Sequence, residues 1–200
     1  MKYPSRKQAE EVLQWALSLN PGPWEQHSRH AARAAEAIAA RCSLDPDKAF
    51  VLALLHDIGR YEGVRALLHV IAGYRLMKER GWDDVARICL THSFPVPDCT
   101  TFNGALDCTD DEIAFIDHAL DAMVYDDYDR LIQLCDALAT ADGITTIEKR
   151  LIDVALRNGI GERYREKWHA FLDIKRDFDA RCGCNIYTLF RDDIENTIFA

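Results

Sequence analysis

Two acidic residues interrupt apolar helical stretches of this chain, and they restrict its fold more than any other feature. Asp57 lies near the end of VLALLHDIG, and Asp136 lies inside LIQLCDALA. Burying an ionised carboxylate among apolar side chains is costly unless a cation or hydrogen-bond donors meet it. The chain must therefore fold so that both carboxylates reach such a partner.

Four histidines accompany the two carboxylates, and together they form a set of metal-ligand residue types. In chain order the set is His27, His56, Asp57, His69, His92 and Asp136. Imidazole nitrogen and carboxylate oxygen suit borderline or hard divalent ions better than thiophilic ones. The set predicts a site for a divalent metal ion, with Mn, Fe, Co, Ni, Mg and Zn as the candidates.

The adjacent pair His56 and Asp57 indicates where the ion would lie. Adjacent residues of an α-helix point about 100° apart, so both can reach one ion only beside a helix end. Gly59 fits such an end, and we expect the helix that begins at Asp45-Pro46 to run up to it. The predicted ion therefore lies at the end of an apolar, central helix.

Most of the remaining sequence predicts helices, and the predicted fold class is all-α. Capping patterns at Ser5, Thr109 and Thr145, each followed three residues later by Gln or Glu, predict helix starts. Asp83 predicts another start, because a short side chain that accepts hydrogen bonds satisfies the free N–H groups of a first turn.

The organisation of the chain predicts one domain over residues 1–200. We expect a core at about residues 24–145, with helices in residues 146–200 packing on it. Residues 94–108 predict a loop whose length is typical of a functional loop or a lid. The tail, residues 185–200, fits helix and strand equally well.

Composition restricts where the protein acts and what it binds. The net charge is −9, from 24 basic and 33 acidic side chains, so a nucleic-acid polymer would be repelled. No apolar stretch is long enough to span a membrane, and no signal peptide is evident. We expect a cytoplasmic protein that does not bind membranes and whose seven cysteines are reduced. The sequence leaves the oligomeric state open, a homodimer included.

Several segments in fixed order resemble the HD superfamily of metal-dependent phosphohydrolases. They are HSRHAARAAEAIA, LALLHDIGR, LLHVIAGYRLM, ICLTHS and LIQLCDALATADG, and the resemblance covers roughly residues 24–145. It implies an HD-domain helical bundle followed by a C-terminal helical extension. It also implies one ion held by His27, His56, Asp57 and Asp136, and a second ion that Asp57 bridges and that His69 and His92 hold.

The resemblance implies hydrolysis of a phosphate ester or anhydride in a nucleotide or other small phosphorylated metabolite. A metal-activated water would attack, with Asp57 and Arg60 as catalytic residues. Arg60 stands where many members of the superfamily have lysine, and it keeps the positive charge that a phosphoryl group needs. Lys149 and Arg150 follow a predicted turn, and they either join Arg60 in binding the substrate or form a solvated helix face.

Two other functions are compatible with the same residues. Some members of the superfamily use four histidines and two aspartates to hold a di-iron centre for oxygen-dependent cleavage of C–C or C–P bonds. A catalytically silent, metal-stabilised domain could instead sense a nucleotide or bind a partner. The cyclic-dinucleotide phosphodiesterases are disfavoured, because Gly73-Tyr74 is followed by Arg75 rather than by proline.

Overall fold

The computed structural model describes residues 2–199, and helices account for nearly all of their regular structure. The α-helices of these residues are α1 (Arg6–Leu19), α2 (Trp24–Ala39), α3 (Pro46–Leu54), α4 (Leu68–Glu79), α5 (Asp83–Thr91), α6 (Asp110–Ala122), α7 (Asp127–Leu138), α8 (Ile147–Asn158), α9 (Tyr164–Cys182) and α10 (Arg191–Phe199). Short 3₁₀ helices lie at Ile58–Glu62, Cys99–Thr101 and Ile186–Phe190. The described residues contain no strand, and one isolated bridge joins Ala139 to Ile144. The predicted all-α class is confirmed.

Side-chain caps begin several of the helices where the sequence predicts them. The side chains of Ser5 and Thr109 each accept a hydrogen bond from the backbone N–H three residues later, and both capping boxes are complete. Asp45 caps α3, and Pro46 occupies the first helical position. These caps satisfy N–H groups that the first turn of a helix leaves without a partner.

Two predicted helix starts are wrong by one residue, because other contacts hold the predicted caps. Thr146, not Thr145, caps α8, since the N–H of Thr145 donates to the carbonyl of Leu138 at 2.8 Å. Asp83 lies in the first turn of α5 instead of preceding it, and its carboxylate pairs with Lys78. In both places the predicted residue makes a contact other than the helix cap.

Helices α2, α3 and α7 form the centre of the fold and pack against one another. Helix α2 contributes a series of fully buried alanines, at Ala31, Ala32, Ala34, Ala35 and Ala39. Because the distance between packed helices depends on the side chains between them, this series lets the neighbours of α2 approach closely. The early part of α2 thereby lies beside the end of α3 and the last turns of α7.

A second, smaller apolar cluster connects α4, α5 and α6 to the loop at residues 94–108. Its buried members are Leu67, Val70, Ile71, Leu90, Phe94, Cys99, Ile116 and Leu120. Two of them, Phe94 and Cys99, belong to the loop, so the predicted loop is anchored rather than loose. No described helix is both long and apolar enough to cross a membrane.

The C-terminal residues are helical as far as Phe199, which decides the ambiguity of the tail. Helix α9 packs on α7 and on α8, so it reaches the centre of the fold from outside the predicted core. The division of the chain at about residue 145 stays a prediction.

Gly59 does not end α3 as predicted but lies inside the 3₁₀ helix that follows. Helix α3 ends at Leu54. A Cβ atom at Gly59 would lie 1.9 Å from the carbonyl oxygen of His69 and 2.5 Å from the backbone nitrogen of Gly73. Gly59 is therefore required because α4 crosses this segment in backbone contact, and that contact places His69 opposite His56 and Asp57.

Substituting Gly59 tests this crossing. Gly59→Ala should lower the free energy of unfolding by about 2 kcal/mol or more, because overpacking a site closed by backbone costs on that order. The measurement is urea denaturation of the purified proteins. Gly161→Ala is the control, since its Cβ would meet the ring of Tyr164 at an ordinary 3.4 Å. Equal denaturation midpoints for the two variants would contradict the close crossing.

Candidate metal centre

The six residues of the predicted ligand set converge on one place, although five structural elements supply them. They come from α2 (His27), the segment after α3 (His56, Asp57), α4 (His69), the C-terminal end of α5 (His92) and α7 (Asp136). Five of the six are buried, and Asp136 keeps 22% of its side chain exposed. The structure thus brings together residues that are separated by as many as 109 positions in the chain.

The carboxylate of Asp57 lies between two pairs of histidines. Its Oδ1 atom lies 3.1 Å from Nε2 of His69 and 3.6 Å from Nε2 of His92. Its Oδ2 atom faces the other pair, 4.0 Å from Nε2 of His27 and 3.9 Å from Nε2 of His56. Each carboxylate oxygen therefore addresses a different pair, which is the arrangement that a ligand shared by two ions requires.

Asp136 completes one of the two halves. Its Oδ1 atom lies 3.0 Å from Nε2 of His27 and 3.8 Å from Nε2 of His56. One half of the centre can therefore offer two imidazoles and two carboxylates, and the other half two imidazoles and the shared carboxylate of Asp57. Groups of three donors drawn from this set lie within 4.8 Å of one another.

Backbone carbonyl groups determine which nitrogen of each imidazole faces the centre. In all four histidines Nδ1 donates to a carbonyl oxygen, which can only accept. The acceptors are Ala139 for His27 (3.1 Å), Ala53 for His56 (2.6 Å), Ala66 for His69, and both Ile88 and Cys89 for His92. The proton of each neutral ring is therefore on Nδ1, and Nε2 presents a bare lone pair.

Those lone pairs face one another at short range, and this arrangement indicates a binding site for a cation. The Nε2 atoms of His27 and His56 are 3.2 Å apart, and so are those of His69 and His92. Two acceptors cannot form a hydrogen bond, so each contact is repulsive unless a positive ion lies between or beside the nitrogens. Backbone carbonyls that fix the outer nitrogen are also the usual support for histidines that bind metals.

The protonation states of the centre suit a divalent ion. Burial lowers the pKa of His92 to about 3 and also lowers the pKa of His27, which keeps both rings neutral. Burial raises the pKa of Asp57, but the guanidinium of Arg60 outweighs it and holds that pKa below its usual range. Neutral imidazole and ionised carboxylate are the forms that bind metal.

Arg60 contacts the centre directly through Asp57. Its Nε donates to Oδ2 of Asp57 at 2.6 Å, and its Nη1 donates to the carbonyl of Arg65 at 3.2 Å. Its own carbonyl accepts from the amide of Asn20 at 2.7 Å. Both ends of Arg60 are therefore held, and 29% of its side chain remains exposed beside the cavity described next.

A cavity of about 910 Å³ opens onto the centre. The aromatic residues Trp24, Phe102 and Phe171 form part of its wall, and Arg60 and Arg150 are also among its lining residues. Its volume lies at the upper end of the range that is usual for small-molecule sites. The site can therefore enclose a molecule considerably larger than inorganic phosphate.

The two other residues predicted to contact substrate lie differently. Arg150 lines the cavity, and its Nη1 also pairs with Asp153 at 3.2 Å. Lys149 is exposed and lies outside the cavity lining, because adjacent positions on α8 face different directions. His30, one turn after His27, instead bonds the carbonyl of Thr140 at 2.8 Å.

Lys167 is a cavity residue that sequence reasoning missed. It lies on α9, whose charged sequence resembles a solvated helix. A signal was nevertheless present, because Lys167 is spaced by three and four residues from the buried Tyr164 and Phe171, and residues so spaced share a helix face. Lys167 is buried and lines the cavity.

Comparison with known families decides what the chain is related to. The family model described as the HD domain matches residues 24–141, which is more than half of the 200 residues. The chain belongs to the HD-domain family. No curated protein and no solved structure matches it. All six candidate ligands lie inside the part matched as an HD domain, whereas Arg150 and Lys167 lie outside it.

Replacing Asp57 tests the centre as a metal site. Asp57→Asn in this HD domain should lose most of its bound metal, because the amide keeps the shape of the carboxylate but not its charge. The wild-type protein should gain thermal stability on addition of Mn²⁺, since a ligand that binds only the folded state stabilises it, and Asp57→Asn should gain little. Elemental analysis and thermal denaturation are the measurements. His30→Gln is the control, and loss of metal from both variants would point to general damage instead.

Replacing His92 tests whether the HD domain holds two ions. If Asp57 is shared, His92→Ala should lower the metal content from about two ions per chain to about one, because only one half of the centre loses a donor. Elemental analysis with thermal denaturation would show both the ratio and the intact fold. An unchanged ratio would assign His92 to packing or to substrate contact.

Proposed function

We propose that this HD domain is a metal-dependent phosphohydrolase that acts on a nucleotide or another small phosphorylated metabolite. One observation carries the proposal: a carboxylate shared by two histidine pairs, with a guanidinium bonded to it, lies at the wall of a cavity of about 910 Å³. Membership of a family of metal-dependent phosphohydrolases supports the reaction type.

The proposed roles follow from the two halves of the centre. His27, His56, Asp57 and Asp136 would hold one ion, and His69 and His92 would hold a second with Asp57 shared between them. A divalent ion supplies a Lewis acid for a phosphoryl oxygen and makes water a nucleophile near neutral pH. The carbonyl groups behind the histidines keep each Nε2 aimed at the centre, so the ligands need little rearrangement when an ion binds.

Arg60 would stabilise charge on the phosphoryl group. A guanidinium that is already oriented can stabilise developing negative charge without reorganising during the reaction. The 2.6 Å bond from Nε to Asp57 provides that orientation. Because the same bond also positions the shared carboxylate, Arg60 influences the metal centre as well as the substrate.

The shape and charge of the cavity support a small substrate. Aromatic faces at Trp24 and Phe171 can pack against a ring or an apolar portion of the substrate. Arg150 adds a positive side chain to the cavity lining, whereas Lys149 is not among the lining residues. The net charge of −9 disfavours a long polyanion at a distance but not a small phosphate near a bound cation.

An anaerobic assay tests the reaction type. The protein loaded with Mn²⁺, Co²⁺, Ni²⁺ or Mg²⁺ should release phosphate or a nucleotide from a panel of phosphorylated metabolites with oxygen excluded, at a rate that depends on the ion. The control is Asp57→Asn, which should be inactive with every ion.

Two outcomes would replace the proposal with one of its competitors. Iron-dependent consumption of oxygen with a phosphonate or a polyol, together with no hydrolysis, would indicate a di-iron oxygenase. Nucleotide binding without turnover under any condition would indicate a domain that senses a ligand.

A further inference from the structure

Lys167 places an ammonium group at the lining of the cavity, from a helix that lies outside the residues matched as an HD domain. Its side chain comes from α9, is 5% exposed and lines the cavity. Its Nζ donates to the carbonyl of Thr101 at 3.0 Å, so it contacts the 3₁₀ helix of the loop at residues 94–108. Helix α9 and this loop together form a wall of the cavity. The family match includes the loop but not α9.

This ammonium has no anion beside it within the described part of the chain. No carboxylate oxygen of residues 2–199 lies within 4.0 Å of its Nζ, and an ammonium has three protons to donate. A buried charge without an opposite charge is costly to keep. The fold keeps this uncompensated ammonium at the lining of a cavity. Such a placement is expected where a bound ligand supplies the anion.

A second buried lysine on the same helix shows the usual solution. Lys175 lies two turns further along α9 and donates to Asp179 at 2.6 Å and to Asn185 at 3.2 Å. It lies outside the cavity lining. The chain therefore pairs a buried lysine with a carboxylate where the lysine is structural, and omits that carboxylate at Lys167.

Burial works against the charge of Lys167, and nearby Asp136 offsets part of that effect. Burial lowers the pKa of Lys167 to about 8, and the carboxylate of Asp136 opposes that effect. The charge of Asp136, a candidate metal ligand, therefore acts on this amine, although the two groups are beyond ion-pair distance. An anion bound beside Nζ would offset the cost of burying this charge.

A buried acceptor lies on the same wall. Oδ1 of Asn103 is buried and has no hydrogen-bond partner among the described residues, and Asn103 also lines the cavity. It is two residues from Thr101, which accepts from Lys167. A buried polar atom without a partner is unusual, so this wall has an acceptor that no donor meets as well as an ammonium that no anion meets.

We propose that Lys167 binds a second anionic group of the substrate, distinct from the phosphoryl group that reacts at the metal centre. The substrate class is then a phosphorylated metabolite that carries a further carboxylate or phosphate, with a donor group near Asn103. The inference rests on the proposed function, because it takes the reacting phosphoryl group to lie at the six candidate ligands. Nζ lies more than 4.0 Å from every carboxylate of the centre, so Lys167 does not pair with the candidate ligands themselves.

Binding of two unreactive probes tests this role without turnover. Phosphonoacetate carries a phosphonate and a carboxylate, whereas methylphosphonate carries only the phosphonate. Titration calorimetry of the Mn²⁺-loaded protein, with oxygen excluded, should show tighter binding of phosphonoacetate to the wild type. Lys167→Met should bind phosphonoacetate about tenfold or more weakly than the wild type and methylphosphonate equally well, because one charge-assisted bond is lost from one probe only.

Control variants separate this role from a structural one. Lys175→Met should bind both probes as the wild type does, although it loses its pair with Asp179. Lys167→Met should keep its metal content and denature at or above the wild-type temperature, since it removes an unpaired buried charge. Lys167→Gln, which keeps a donor for Thr101 without the charge, should repeat the loss for phosphonoacetate if the methionine variant does not fold.

The remaining outcomes overturn one proposal or the other. If Lys167→Met loses affinity equally for both probes, Lys167 lies at the reacting phosphoryl group. If it loses affinity for neither, Lys167 binds no anion of these probes. Either result overturns the inference about Lys167 but not the proposed function. The same holds if the wild-type protein binds phosphonoacetate no more tightly than methylphosphonate. Failure of the metal-loaded wild type to bind either probe would remove the phosphoryl site and the proposed function with it.

Discussion

The structure depends on the placement of one carboxylate, that of Asp57. It is buried at the end of an apolar helix, where its charge must be met from several sides. The guanidinium of Arg60 meets it directly, and two pairs of histidines surround it with donor atoms for a cation. Those partners come from α2, α4, α5 and the segment after α3, so the requirements of one side chain determine how four parts of the chain are arranged.

Much of this centre was predictable from sequence, for a physical reason. Asp57 and Asp136 are conspicuous because charge is rare within apolar helical stretches, and the order of the histidines around them adds a specific pattern. Helical periodicity and capping boxes such as that of Ser5 are local signals, so the all-α class could be predicted as well. The family match confirms the relationship that these local signals indicated.

What sequence reasoning missed depends on contacts between distant segments. Gly59 resembled a helix end, but the backbone of His69 is what excludes a side chain there. Thr145 resembled a cap, but Leu138 holds its N–H. Lys167 resembled a surface lysine, and only the packing of α9 on α7 turns it into the cavity. The contacts of Gly59 and Thr145 leave no local pattern that capping rules can detect, whereas Lys167 leaves a partial one in its spacing from Tyr164 and Phe171.

The position of α9 has a consequence for substitutions in it. The six candidate ligands lie within residues 24–141, whereas α9 spans Tyr164–Cys182 and closes the same cavity from beyond that range. The candidate ligands and one wall of the cavity that they share are thus encoded in separate stretches of the chain. Substitutions at cavity-lining positions of α9, such as Lys167 and Phe171, therefore change the shape and charge of the cavity without altering any of the six candidate ligands.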